Sequence, residues 1–230
     1  MHNYLLLLGV KGFSRVFYRF DVGWVGDRLE DPWGDLRLIA ILNHTSLYEP
    51  LFAGSVPNRL LADISRRGVV PVAEKTLRRP LVGRFFRLVA PQVVPVTRMR
   101  DHTWSEFARS ITPQSLVVIL PEGRMKRQSG LDAEGQPMTV RGGIADILRS
   151  MDQGRMLLAY SGGLHHVQAP GEVAPRLFRT LRIRFETLDV AAYREARLAE
   201  AGARGFKQAV VRDLEARRNR YCPVVQGQAG

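Results

Sequence analysis

A histidine and a glutamate five positions apart are the first side chains with catalytic potential. His44 follows the apolar run 37–42, and Glu49 comes after Ser46. On one continuous helix five residues turn through about 500°, so the two side chains would point apart. If Ser46 is the N-cap of the helix, His44 lies in the loop before it and can meet Glu49. The carboxylate would then fix the imidazole tautomer and stabilise the protonated form of a general base.

The same residues also fit a purely structural interpretation. Ser46-x-x-Glu49 is a capping box, in which the Glu49 side chain bonds back to the Ser46 N–H. Pro50 then falls at the fourth helical position, where its missing N–H costs little. The spacing alone leaves both roles of Glu49 open.

A second cluster, Pro-Glu-Gly-Arg at 121–124, follows a continuous apolar run at 116–120. Such a run is typical of a strand buried on both faces. Gly123 permits a sharp turn or a close approach of the backbone to a ligand. Arg124 could hold a phosphate, although an ordinary turn with solvated charges explains the same pattern.

A third candidate, Arg98, follows the apolar run 93–96. An arginine there could clamp an anion, or it could be a surface charge. Ligands of open α/β sheets bind at the carboxyl ends of the strands. We therefore expect Arg98 to lie at the same sheet edge as His44 and Gly123.

Short apolar runs alternate with helix-like segments along the chain. We predict strands at 37–42, 69–73, 93–96, 116–120, 155–159 and 181–185. We predict that residues 46–53 form the start of a helix. Further helices are predicted at 80–89, 103–111, 143–151 and 190–220, the last with a break near 202–205. This alternation predicts an α/β fold with a mostly parallel central sheet flanked by helices.

The N-terminal residues mix leucine and phenylalanine with lysine and arginine, as a cationic amphipathic helix does. The pattern extends from Leu5 to Phe20, with Lys11, Arg15 and Arg19 interspersed. Such a helix can lie in a bilayer interface, and a terminal helix packed on the core has the same pattern. We divide the chain into an amphipathic, membrane-associating segment (1–35), an α/β domain (36–222) and a tail (223–230).

The charge balance favours an anionic partner. Lysine and arginine number 34 against 22 acidic residues, a net charge of +12. Candidates are nucleic acid, an anionic membrane surface and a phosphorylated small molecule. The sequence has no nucleic-acid-binding motif, so we expect no nucleic-acid partner. The single cysteine, Cys222, excludes an intramolecular disulfide and any metal site with two thiolates.

The motifs, taken in order, resemble the glycerophospholipid acyltransferase family, which includes bacterial 1-acylglycerol-3-phosphate acyltransferases. That family carries NH-x4-D, a strand ending in Arg, F-PEG-TR and a late apolar strand with proline. Here His44 with Glu49, then Arg98, then Pro-Glu-Gly at 121–123 follow in that order, and the resemblance covers about 37–220. The connecting residues that match the family's usual run are Lys75, Leu77, Pro80 and Gly83.

Four departures from the family pattern bear mainly on the acceptor. Glu49 stands in place of Asp, Arg124 in place of Thr, and Met125 in place of Arg. The expected proline is absent from 159–163. An inactive or divergent member is also compatible with these changes.

The resemblance implies an O-acyltransferase that needs neither a metal nor another cofactor. His44 would take the proton of an acceptor hydroxyl, which attacks the thioester of acyl-CoA or acyl-carrier protein, and Glu49 would orient His44. The residues that would hold the phosphate of a lysophospholipid-type acceptor are Arg98, Glu122, Gly123 and Arg124. We expect the enzyme on an anionic membrane, peripheral or monotopic, at its cytoplasmic side.

Two other classes of function stay open. A non-catalytic basic module for membranes or nucleic acid explains the charge but not the placement of His44, Glu49 and Glu122. A thioesterase or lipid hydrolase would keep His44 as the base and use water as the acceptor.

His165 and His166 lack partners at metal-ligand spacing, so we predict a turn there.

Overall fold

Seven strands form a single sheet in the computed structural model, which describes residues 2–97, 102–169, 172 and 174–224. The strands are β1 Arg19–Trp24, β2 Leu36–Leu42, β3 Gly68–Ala73, β4 Gln92–Val96, β5 Leu116–Ile119, β6 Arg155–Ser161 and β7 Thr180–Asp189. Their order across the sheet is β1-β7-β6-β2-β5-β3-β4. Only β6 and β7 pair antiparallel in these described strands. The predicted mostly parallel sheet is confirmed.

Helices connect the strands and cover both faces of the sheet. They are α1 His2–Phe17, α2 Asn58–Arg67, α3 Glu74–Leu77, α4 Pro80–Val89, α5 His102–Ser110, α6 Gly143–Arg149 and α7 Val190–Tyr221, with a short 3-10 helix at Glu49–Ser55. The predicted break in α7 is present at Gly202, whose φ of 64° is non-helical. Alternate residues of β6 point to opposite faces: Met156 and Leu158 pack under α6 and α7, whereas Leu157 packs on the other side. The central strands are therefore buried on both faces, as their continuous apolar runs predicted.

The prediction of a helix reaching Phe20 is wrong. The helix ends at Phe17, and Phe20 lies in β1, paired with Leu181 of β7. β1 extends to Trp24, whose ring packs against Trp33 and Phe185. The N-terminal segment thus contributes an edge strand to the same sheet as the α/β domain.

Helix α1 packs on the 3-10 helix, α2 and α4. Its Lys11 is buried: the Nζ donates to the Val56 carbonyl at 2.7 Å and to Asn58 Oδ1 at 2.6 Å. Leu5 and Val16 of the same helix are exposed. α1 is therefore a packed terminal helix that also presents apolar side chains to solvent. Within the described residues, no helix combines the length and the hydrophobicity that a bilayer crossing requires.

Candidate active site

The loop after β2 places His44 at the carboxyl edge of the sheet. Asn43 adopts a left-handed φ of 66°, which asparagine tolerates better than most residues. Its side-chain amide donates to the Ser161 carbonyl, at the end of the neighbouring strand β6, at 2.9 Å. The chain bends at this point, so His44 leaves the sheet and lines a large cavity.

Glu49 combines the two roles that the sequence left open. Its Oε1 lies 3.0 Å from His44 Nδ1 and also accepts the N–H groups of Thr45 and Ser46, each at 3.0 Å. The contact with the imidazole has the distance of an ion pair but not the geometry of a hydrogen bond. Glu49 therefore fixes the loop backbone and pairs with the imidazole at the same time.

The predicted N-cap is wrong, although its consequence for His44 is right. The helix is a 3-10 helix that begins at Glu49, with Tyr48 at the cap position, so Pro50 falls at its second residue and not at its fourth. Ser46 Oγ instead accepts the Tyr48 N–H at 3.2 Å. His44 still lies in the loop before the helix, where it can reach Glu49.

Burial and two carboxylates act on His44 in opposite directions. Burial by itself lowers the pKa of His44, but the negative charges of Glu49 and Glu122 outweigh it, so the pKa is raised above the ordinary histidine value. The His44 side chain keeps 14% exposure while that of Glu49 keeps 5%. The pair can store a proton on the imidazole at the cavity wall.

Glu122 holds the backbone of this loop. Its Oε2 accepts the His44 N–H at 2.7 Å, and its Oε1 accepts the Asn43 N–H at 3.2 Å and a hydrogen bond from Arg218 at 3.0 Å. Both oxygens are occupied by donors of the chain, and a carboxylate repels a phosphate. The structure does not support the predicted contact of Glu122 with the acceptor phosphate.

Gly123 and Arg124 both line the cavity, but they differ in availability. Gly123 has a φ of +65°, and the nearest atom to a Cβ built there is Arg141 Cγ at 3.8 Å, so conformation rather than space requires glycine. Arg124 is paired with Asp132, and its Nη1 lies 2.8 Å from Glu134 Oε2. A phosphate at Arg124 would have to compete with two carboxylates. Arg98 lies outside the described residues.

Arg141 is a cavity-lining cation that the sequence reasoning missed. It directly precedes Gly142 and Gly143 at the start of α6, and its side chain makes no ion pair with the described residues. Lys207 lines the same region, with its Nζ 3.3 Å from Asp146 Oδ1. A basic residue before a glycine pair at a helix start was the available signal for Arg141.

The cavity has a volume of about 810 Å³, and His44 is one of its lining residues. Most of its walls are apolar and come from α1, α2, β3, α4 and the sheet. Representative lining residues are Leu7, Ile41, Phe52, Leu61, Val72 and Phe86. Its volume lies within the range of about 300–1,000 Å³ that is typical of ligand pockets.

The remaining candidates are structural. His165 donates through Nε2 to the Lys126 carbonyl at 2.7 Å, and His166 donates to the Thr180 carbonyl at 2.9 Å, within the predicted turn. Burial lowers the pKa of both rings. The described residues contain no group of three or more histidine, cysteine or acidic side chains that could hold a metal ion.

These features define an α/β protein with a His–carboxylate pair beside a large apolar cavity. The chain belongs to the acyltransferase family, whose model, described as Acyltransferase, matches residues 28–161. The family predicted from the sequence is confirmed at this level.

The fold is similar to that of a crystal structure titled as the 1-acyl-sn-glycerophosphate (LPA) acyltransferase, PlsC, from Thermotoga maritima. The TM-score is 0.50 at 18% sequence identity, over 91% of this chain and 79% of that one. No curated protein sequence matches the chain significantly.

Proposed function

We propose that the protein transfers a fatty acyl group from a CoA or acyl-carrier-protein thioester to the hydroxyl of a lysophospholipid-type acceptor. The single observation that carries this proposal is the His44–Glu49 pair, 3.0 Å apart, at the wall of an apolar cavity of about 810 Å³. Family membership supports acyl transfer, and the PlsC structure is that of a 1-acyl-sn-glycerophosphate acyltransferase.

His44 acts as the general base in this mechanism. The neutral imidazole takes the proton of the acceptor hydroxyl while the oxygen attacks the thioester carbonyl. Glu49 stabilises the imidazolium that forms, because its charge lies 3.0 Å from Nδ1. When the tetrahedral intermediate collapses, the C–S bond breaks and the imidazolium returns the proton to the departing thiolate. The products are the acylated acceptor and a free thiol.

The apolar cavity holds the hydrocarbon chain of the acyl group. Each buried methylene contributes roughly 0.8 kcal/mol of transfer free energy. Leu61 of α2 and Phe86 of α4 are among the apolar residues that line this cavity. The thioester carbon then lies near His44, which lines the same cavity.

The acceptor phosphate is bound by Arg141, with Arg98 and the Gly123 backbone as further partners. Arg141 lines the cavity beside Gly123 and makes no ion pair with the described residues, so its guanidinium is available to an anion. Arg124 is already neutralised by Asp132 and Glu134. It therefore organises the loop more than it binds phosphate.

The enzyme works on an anionic membrane from the cytoplasmic side, bound peripherally or monotopically. Val16 on α1 and Leu81 on α4 are 70% and 84% exposed, on two helices that pack together. Arg84 and Arg87 are exposed on α4 as well. Exposed apolar and arginine side chains on the same helix suit an interface that contains anionic lipid.

Thiol release by the purified protein tests the proposal. Release of CoA thiol from palmitoyl-CoA only when lysophosphatidic acid is present is expected for a transferase. Release without acceptor would indicate a hydrolase, and no release from either CoA or carrier-protein thioesters would indicate a binding module. His44→Ala is the control: loss of a general base costs roughly 10²–10⁴-fold.

A further inference from the structure

Arg218, in the last turn of α7, fastens the end of that helix to the loop that precedes α6. Its Nη1 donates to Glu122 Oε1 at 3.0 Å and to the Met138 carbonyl at 2.9 Å. One turn earlier, the Glu215 carboxylate accepts the Val140 N–H at 2.9 Å. The C-terminal helix therefore contacts both ends of the segment 122–140.

Glu122 connects this contact to His44. Its side chain is 1% exposed, and the oxygens that receive Arg218 and the His44 N–H belong to the same carboxylate. If one partner of a buried ion pair is removed, the other is left as an uncompensated charge in the interior. The buried Glu122 carboxylate therefore depends on a cationic partner. Arg218 supplies that charge, from 96 residues away in the chain.

We propose that Arg218 is a positioning residue for the acyl transfer reaction: it fixes Glu122, and Glu122 fixes the backbone of His44. The inference rests on the proposed function of His44 as the general base. Without Arg218, the buried Glu122 carboxylate loses its cationic partner and turns away from the protein interior. This movement changes its bond to the His44 N–H, and with it the position of the imidazole in the cavity.

Few charged groups surround the contacts that run from Arg218 through Glu122 to His44. Substitutions can therefore separate the effects of these groups. Glu49 and Glu122 act on the His44 imidazole. The charges of Glu122, Arg218 and Lys126 act on the Cys222 thiol. The neighbouring Arg217 instead pairs with Glu186 and Asp213. Arg217 thus provides a matched control on the same helical turn.

The test compares Arg218→Met, Arg218→Lys and Arg217→Met. Arg218→Met is expected to lower kcat by about 10- to 100-fold, the scale of a small misplacement of a catalytic group, while the acceptor KM stays within about threefold. Arg218→Lys, which keeps the charge, should recover most of the activity. Arg217→Met should lower the melting temperature and leave kcat within about twofold of wild type.

Titration of the His44 resonance in ¹³C-histidine-labelled protein separates positioning from simple stability. The signal is assigned by its loss in His44→Gln. Arg218→Met should shift the His44 pKa, whereas Arg217→Met should not. If Arg218→Met does not fold, Glu122→Gln takes its place and should lower the His44 pKa, because it removes a negative charge beside the ring.

Two results would overturn the proposal. One is an unchanged His44 pKa in Arg218→Met, whatever happens to kcat, since Arg218 would then act only on stability. The other is an equal loss of kcat in Arg217→Met. If the wild-type protein transfers no acyl group at all, the proposed function fails, while the His44 titration still decides whether Arg218 and His44 are coupled.

Discussion

At the scale of single residues, Glu49 performs two tasks that substitutions can separate. Glu49→Gln keeps an oxygen that can accept the Thr45 and Ser46 N–H groups, but it removes the charge beside His44. We expect kcat to fall by about 10-fold or more and the melting temperature to change little. Glu49→Ala should lower both, because the two N–H groups also lose their acceptor.

The pH dependence of the same variant has a definite sign. The wild-type pKa of His44 is raised because the carboxylates outweigh burial, so loss of the Glu49 charge lowers it. The acidic limb of kcat/KM, which reports the base in the free enzyme, should move to lower pH in Glu49→Gln. A limb that stays in place would mean that another group is the base. The stabilisation of the folded state by protonated His44 is present below its unfolded pKa and is lost as pH rises through the raised folded value.

The two cavity arginines differ in what their loss should do. Arg141→Ala should raise the acceptor KM by roughly 10- to 150-fold, the equivalent of a charged hydrogen bond of ~1.5–3 kcal/mol, with a smaller effect on kcat. Arg124→Ala should mainly lower the melting temperature, because Asp132 and Glu134 lose their partner. Initial rates at varied lysophosphatidic acid, beside thermal melts, compare them. The reverse pattern would place the phosphate at Arg124.

At the scale of elements, local patterns were enough for the central strands and not for the edge. β2 and β5 carry continuous apolar runs, and the strand Leu116–Ile119 lies where the run predicts it. β1 was missed because its alternation includes Asp21 and Gly23 and gains its meaning only from pairing with β7, far along the chain. α2 was also missed: its first turn has no capping side chain, and its N-cap residue is Pro57.

The same division applies to the site. The His44–Glu49 pair depends on residues five positions apart, so spacing and turn chemistry were enough to find it. The bond from His44 to Glu122 joins residues 78 positions apart, and no local pattern encodes it. Arg141 was overlooked because the signal of a basic residue before a glycine pair is weak on its own, and only the fold places this arginine in the cavity.

The packing of α1 leads to a prediction about the N-terminal helix. Lys11→Met leaves the Val56 carbonyl and the Asn58 side chain without their donor, in a buried site. We expect a loss of about 1–3 kcal/mol in the free energy of unfolding, measured by urea denaturation. Lys75→Met, at an exposed position, is the control and should stay within about 0.5 kcal/mol of wild type. Equal stabilities would mean that α1 does not stay packed in solution.

At the scale of the whole molecule, the net charge and the exposed apolar residues predict how the protein binds to a lipid membrane. Val16→Glu combined with Leu81→Glu should weaken binding to vesicles of phosphatidylglycerol and phosphatidylcholine, because both apolar contacts are lost and negative charge is added. Leu198→Glu, on α7 and 37% exposed, is the matched control. Cosedimentation measures the bound fraction. Equal binding by the two variants would place the membrane contact elsewhere.

The position of Cys222 makes it possible to measure how the end of the C-terminal helix α7 detaches from the loop that carries Glu122. It is the only thiol of the chain, it follows the end of α7, and burial together with the nearby Glu122 raises its pKa to about 12. The thiolate that reacts with alkylating agents is therefore almost absent while the helix end is docked. Alkylation then proceeds through transient local opening, so its rate reports the free energy that holds the helix end on the loop carrying Glu122. The alkylation rate of Cys222 therefore measures how often the helix end opens. Acyl thioester, acceptor or a vesicle surface can each be tested for whether it lowers this rate.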